Sequence, residues 1–307
     1  MKILYIDNTA QWCNYYKDIV ETLKVNNDVL VKTTELSETV STFKPDVVII
    51  GFGITNCSGN KGPKLKIKLD VEIPIYVILN KEYAGLQAKM EWIKSIKPPV
   101  KKVFTVHQDY LKWQEQHTIP FTRIMWSADK SLFKKYDDIY KYDFFFSGVI
   151  REEQTGNLRE KIHGTLGKLD KYKKLVKVAF FKNNKLSNTL YTFGPKEYAK
   201  TINHSRIVLT TTGPIDLVGT RYFEIMASNK ALILCNRMPK EVYGDIVIDK
   251  MNCVMFDDEN DFVEKCKYYL ENEDERLKIV NKAYEYFLQR HTWQHKVKHL
   301  ISNLFLD

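Results

Sequence analysis

Short apolar runs alternate with stretches of helical period along most of the chain. Lys2 to Ile6, Asp46 to Ile50 (DVVII), Ile75 to Leu79 (IYVIL) and Val103 to Val106 are the first such runs. Runs this short with no polar alternation predict strands of a parallel sheet buried on both faces. After the first run, Tyr16, Ile19, Val20 and Leu23 recur at helical spacing and predict an amphipathic helix over Tyr15 to Leu23. The second run leads into the glycine-bearing loop Gly51-Phe52-Gly53, and each strand ends in a polar or glycine-containing loop. Open α/β sheets bind ligands at those carboxyl ends.

The rhythm breaks around Ser127 to Tyr142, where Lys134, Lys135, Asp137 and Asp138 follow no clear period, and an interdomain linker is expected there. A second α/β series starts with Tyr142 to Ser147 (YDFFFS) and Gly148. It continues through a helix over Leu158 to Leu166 and strands at Leu175 to Phe181, Ile207 to Thr210 and Ala231 to Cys235. Three apolar stripes then predict a helical tail: Phe262, Cys266, Tyr269 and Leu270; Leu277, Val280, Tyr284 and Phe287; Val297, Leu300, Ile301 and Leu304. The division expected is a domain over residues 1–136 and a second over 137–307, with the last helix free to pack back on the first domain. Neither solenoid repeats nor low-complexity segments are seen.

Composition narrows the class. With 307 residues, 44% apolar and 28% charged, the chain can fold two ordinary cores and is not of disordered type. It has 47 Lys and Arg against 38 Asp and Glu, a formal charge of +9. That excess suits nucleotide phosphates, nucleic acid or an acidic membrane face without choosing among them, and much of it is lysine on expected helix surfaces. Cys13, Cys57, Cys235, Cys253 and Cys266 form no C-x-x-C pair and no zinc-ligand spacing with histidine; they read as reduced core thiols. The first residues show no signal-peptide pattern, and no apolar run reaches the ~18 residues of a membrane span. A cytoplasmic protein is expected, with peripheral membrane contact left open.

The stretch Thr210 to Cys235 carries the chemistry. A strand ends at Thr210, and a loop with Thr211, Thr212, Gly213, Gly219 and Thr220 follows. A helix then runs from near Arg221 to near Asn229, a residue suited to a left-handed cap. Such a loop exposes amides and hydroxyls, and the helix head adds its own amides and positive dipole end, an outline that fits phosphate. A cation in the first helical turn costs about a few tenths of a kcal/mol, which a bidentate grip on a diphosphate by Arg221 would offset. Glu224, one turn on, shares its face and is a natural acceptor for a ribose diol; a plain Arg–Glu surface pair is the alternative. Asp216 in the loop reads either as a contact to donor-sugar hydroxyls or as a turn residue.

The run RYFEIMASNKALILCNR resembles the donor-site helix and strand of GT-B glycosyltransferases, nearest to the CgeB-like, spore-maturation type. Thr220, Arg221, Phe223, Glu224 and Ala227 match that pattern, and Asn229 stands where the family usually has Gly. Asn252 to Phe256, Asp261 to Val263, Arg290-His291-Thr292-Trp293, Asp143 to Gly148 with Arg151, and Trp126 to Phe133 are similar to further family segments. The resemblance spans about residues 100 to 307.

It implies an α/β GT-B fold, with two Rossmann-like domains facing each other across a cleft and C-terminal helices. It also implies a nucleotide-diphosphate sugar, UDP- or GDP-linked, held by the second domain. The acceptor, a glycan or glycoconjugate, is expected on the first. No metal or other cofactor is expected, which agrees with the lack of a D-x-D motif at a strand end. Gly148, Arg151, Thr212, Gly213, Gly219, Thr220, Arg221 and Glu224 are the expected donor contacts. Many retaining relatives carry two glutamates with seven residues between them; here the first position is Asp216, one methylene shorter, so retention and inversion both stay open. For inversion, Asp7 and His107 at strand ends are the candidate bases. Tyr198, Ile202 and Ser205 read as core. Rival readings are a GT-B epimerase or hydrolase, a phosphorylase, a binding protein for nucleotide or nucleic acid, and a sugar-binding relic without turnover; nucleic acid is not the expected partner.

Overall fold

The computed structural model describes residues 1–8, 14–57, 62–82, 84–151, 158–167, 169–182, 185–187 and 193–306. The chain divides into two compact units, Met1–Ser127 joined by Trp293–Asp307, and Ala128–Thr292.

The first unit alternates strand and helix: β1 (Lys2–Ile6), α1 (Asn14–Lys24), β2 (Asp28–Lys32), α2 (Leu36–Phe43), β3 (Val47–Ile50), α3 (Phe52–Thr55), β4 (Ile75–Ile78), α4 (Leu86–Ser95), β5 (Val100–Thr105), α5 (Tyr110–His117) and β6 (Phe121–Arg123). The strands pair in the order β2-β1-β3-β4-β5-β6, all parallel. Every residue of β3 and β4 is buried, as continuous apolar runs between two helical layers require.

The second unit repeats the plan with β7 (Tyr142–Arg151), α6 (Leu158–Gly167), β8 (Lys174–Lys182), β9 (Lys185–Ser187), α7 (Pro195–Asn203), β10 (Ser205–Thr210), α8 (Arg221–Ser228), β11 (Leu232–Asn236), α9 (Lys240–Tyr243), β12 (Val254–Phe256), α10 (Glu259–Glu271) and α11 (Glu273–Arg290). Its order is β12-β11-β10-β7-β8-β9, parallel except for the antiparallel β8–β9 pair. Phe144, Phe145 and Phe146 at its centre are all fully buried. The last helix, α12 (Trp293–Ser302), belongs to the first unit, where it packs on α1. There Lys102 donates to the carbonyl of Asn303 at 3.1 Å, and the Tyr76 hydroxyl donates to that of Leu304. The structure thus has the two Rossmann-like α/β domains with C-terminal helices that the resemblance implies.

Each sheet reverses its strand order once, between β1 and β3 in the first unit and between β7 and β10 in the second. Flanking connections leave a sheet in opposite directions at such a point and open a crevice at the strand ends. In the second unit the opening is visible in the register. Strand β10 pairs with β7 only as far as Phe146, whereas β8 follows β7 to Arg151. From Ser147 onward, one edge of β7 faces the space that β10 has left.

Helix α8 ends at Asn229 with φ 50° and ψ 40°, the left-handed cap its sequence suggests. Its side-chain oxygen is buried and finds no partner among the described residues. Asn229→Gly should therefore raise the melting temperature, by relieving both the left-handed strain and the unpaired oxygen. Asn229→Ala should lower it by the equivalent of about 1 kcal/mol. The reverse order of the two variants in a thermal melt would contradict this account of the cap.

Candidate active site

At the β7/β10 switch point the second unit encloses a pocket of about 360 Å3. Phe193, Pro195 and Tyr198 form its apolar wall, and Ser147, Thr220, Arg221 and Glu224 its polar one. The polar residues come from the exit of β7 and the head of α8, elements about seventy residues apart in sequence that the parallel order makes neighbours.

Arg221, Tyr198 and Glu224 form one hydrogen-bonded set. Arg221 Nε donates to the Tyr198 hydroxyl at 3.0 Å, and the hydroxyls of Tyr198 and Thr220 donate to the Glu224 carboxylate. A single phenol thus accepts from the guanidinium and donates to the carboxylate. Its ring is fixed by Phe133, Phe145 and Phe193, with centroids 6.1, 5.8 and 5.9 Å away. Burial holds the Glu224 carboxyl above its ordinary value, while the Arg221 charge and the two hydroxyls pull it down.

Gly148 lies beside two arginines. A Cβ there would sit 3.6 Å from Arg159 Nη1 and 3.7 Å from Arg221 Nη1, so the two guanidinium groups converge over this glycine. Arg159 builds the loop behind it. Its Nε donates to Thr211 Oγ1 at 2.6 Å, and its two terminal nitrogens donate to the carbonyls of Val149 at 2.9 Å and Thr212 at 3.1 Å. From below, Asn236 Oδ1 accepts the Thr212 amide at 3.3 Å, and the Tyr243 hydroxyl donates to the Asn236 carbonyl at 2.7 Å. Burial pushes the Tyr222 and Tyr243 hydroxyls far up, so they stay neutral while bonded to each other at 3.0 Å.

The structure brings Gly148, Thr220, Arg221 and Glu224 together, and places Thr212 and Gly213 in the adjoining loop, where the Gly213 amide bonds the Leu217 carbonyl at 2.7 Å. Gly219 has open space at its Cβ position. Asp216 is exposed and is not among the pocket-lining residues. With Ile215 it adopts left-handed backbone (φ 59° and 51°), a costly state for a β-branched residue and one that gathers at functional loops. Arg151 ends β7, and its side chain lies outside the described residues.

Asp7 and His107 lie in the first unit, each at a strand exit. Asp7 is fully buried at the β1/β3 switch point. A Cβ on Gly53 would come within 2.2 Å of its Oδ1, so only glycine lets this carboxylate lie against the loop. His107 stacks on Trp113 at 4.8 Å, and its Nδ1 accepts the Asp109 amide at 3.0 Å, which puts the neutral ring's proton on Nε2. Sequence reasoning missed Tyr198 and Arg159. The first was read as core and the second lay inside an ordinary charged helix; no local spacing marks either.

Two Rossmann-like sheets, with an arginine and a half-buried glutamate at the switch point of the second, match the fold of GT-B nucleotide-sugar enzymes. Residues 144–302, a little over half of the 307-residue chain, match the family described as glycosyl transferase-like, and the chain belongs to that family. No curated protein sequence matches it. Among solved structures, HepE of Anabaena in complex with UDP and glucose aligns at TM-score 0.61 and 13% identity over 99% of both chains. A DNA-modifying β-glucosyltransferase aligns at 0.60 and 13% over 100% of both. The UDP-GlcNAc 2-epimerase of Neisseria meningitidis aligns at 0.53 and 11% over 99% of both. At these identities the likeness is one of fold. The expected glycosyltransferase kinship is borne out.

The raised Glu224 carboxyl has a testable sign. A native state that binds this proton more tightly than the unfolded chain is favoured by it at low pH, and the advantage fades as pH rises through the raised value. The melting temperature of wild type relative to Glu224→Gln should therefore fall as pH rises from the ordinary carboxyl range through the raised value. A difference independent of pH would show a carboxyl that burial does not perturb.

Proposed function

We propose that the chain transfers a sugar from a nucleotide-diphosphate sugar to an acceptor hydroxyl of a glycan or glycoconjugate. The observation that carries this is the Arg221–Tyr198–Glu224 set at the β7/β10 switch point, beside a pocket of about 360 Å3. Arg221 takes the diphosphate, with Gly148 and the 212–213 loop close to it, and Glu224 accepts the ribose hydroxyls. Arg151, Gly219 and Thr220 complete the donor contacts in this reading. UDP is the first nucleotide to test, since HepE was solved with it, and GDP the second.

In transfer, the acceptor hydroxyl loses its proton to a base as its oxygen bonds to the anomeric carbon. The bond from that carbon to the diphosphate breaks, and the nucleoside diphosphate leaves. Arg221 and the positive end of α8 offset the charge that develops, so the reaction needs no metal. The first unit holds the acceptor. Asp7, an acceptor-only group once ionised, is the preferred base over His107, whose Nδ1 already accepts the Asp109 amide. Asp216, in its strained turn, remains the candidate contact to the donor sugar. The free thiols Cys235, Cys253 and Cys266 suit a cytoplasmic setting.

Arg221→Ala and Glu224→Ala should each weaken nucleotide binding at least tenfold, about 1.4 kcal/mol, without unfolding the protein. Tyr198→Phe keeps the ring and removes both hydrogen bonds, and should weaken binding about threefold or more. The readout is the thermal shift given by UDP and by GDP, with EDTA present and then with magnesium. Wild-type shifts in all three variants would overturn the donor site, and a shift that EDTA abolishes would overturn metal independence. The epimerase alignment supports one other reading. A UDP-sugar converted or hydrolysed without any acceptor would favour it.

A further inference from the structure

The first unit has a pocket of its own, of about 660 Å3. It opens at the β1/β3 switch point, lined by Asn8 after β1, Thr33 after β2 and Gly53 after β3, the position where an open α/β sheet takes ligands. Its polar lining residues include Asn8, Thr33, Asn56 and Lys64, and the Thr33 hydroxyl donates to the Asp7 carbonyl at 2.7 Å. Asn56 Oδ1 is buried and finds no partner among the described residues. Beneath Gly53 lies the Asp7 carboxylate.

A line of lysines leads away from this pocket. Residues 64–69 run extended and are tied down along their length. Trp92 Nε1 donates to the Leu65 carbonyl at 2.6 Å, Lys97 N to that of Ile67 at 3.1 Å, and Leu69 N to that of Lys97 at 2.9 Å. Ile67 and Leu69 turn into the core, at 2% and 7% exposure. Lys64, Lys66 and Lys68 alternate with them and are exposed, and Lys97 on the paired segment is exposed as well. None of the four is ion-paired among the described residues. The carboxylates on the same segment, Asp70 and Glu72, follow Lys68 at the end away from the pocket. Alternate residues of an extended strand lie ~6.6 Å apart on one face, so the charges form a fixed row rather than a scatter.

Resting on the transferase reading above, we infer that this pocket takes the acceptor's terminal sugar and that the lysine row holds the rest of an acidic glycan, one whose sugar units carry carboxylate or phosphate. Amides and hydroxyls suit vicinal sugar hydroxyls. A row of unpaired cations attracts a chain of like-spaced anions and gives a neutral chain nothing. Among the described residues, none that line the pocket is aromatic, and aromatic rings are the stacking surface that single-stranded nucleic acid uses.

The test titrates the full chain with an oligogalacturonate, a phosphomannan oligomer, a neutral dextran oligomer and oligo-dT, at low and at moderate salt. At least one of the two acidic glycans should bind, more weakly as salt rises. Its affinity should fall about tenfold or more in Lys64→Glu/Lys66→Glu/Lys68→Glu, while the UDP or GDP thermal shift keeps its wild-type size and shows the variant folded. Which acidic glycan responds separates carboxylate from phosphate. Equal binding of dextran, unchanged affinity in the triple variant, binding of oligo-dT alone, or no binding at all would each overturn the proposal. A wild-type chain that shifts with no nucleotide would fail the transferase reading separately, whatever the glycan titration gives.

Discussion

A carboxylate and a guanidinium half-buried together at the head of α8 set the terms for the rest of the second unit. Removing either charge from water is costly, and the cost is tolerable only where partners are fixed in place. Tyr198 supplies that fixity. Its phenol is the hinge of the Arg221–Glu224 set, and three phenylalanine rings decide where the phenol points. The same rings lower the local polarity, so the field of Arg221 across the pocket is stronger than it would be on an open surface. Charge placement and aromatic packing are here one constraint seen from two sides.

A second layer keeps the neighbouring loop in register. Arg159 spends its donors on the backbone of Val149, Thr211 and Thr212, and Asn236 and Tyr243 hold the same loop from the sheet side. None of these side chains needs to touch a ligand to matter, since a loop fixed by several hydrogen bonds presents its amides without further ordering.

Much of this was legible in the chain. The continuous apolar runs named the central strands of both sheets, because strands buried on both faces have no polar alternation to confuse them. Arg221 and Glu224 were legible too, since a helix head with a cation in its first turn is a local anomaly. Strand β2 (DVLVK) was not, being a half-exposed edge strand flanked by charge. Tyr198 and Arg159 were not, because what distinguishes them is contact with residues 23 and 52 positions away. An aromatic or an arginine within a helix carries no local mark of such a partner.

The placement of α12 has a consequence for how the molecule is made. The first unit is written in two pieces, and its closing helix is translated only after the whole second unit. Until then α1 lacks the helix that covers it, and Tyr76 and Lys102 lack the carbonyls they will bond. The N-terminal sheet gains these contacts only from residues that lie beyond the whole second unit in the chain. The first unit is thus closed by a segment more than 160 residues downstream of the strands it completes, so its full set of contacts depends on sequence on both sides of the second unit.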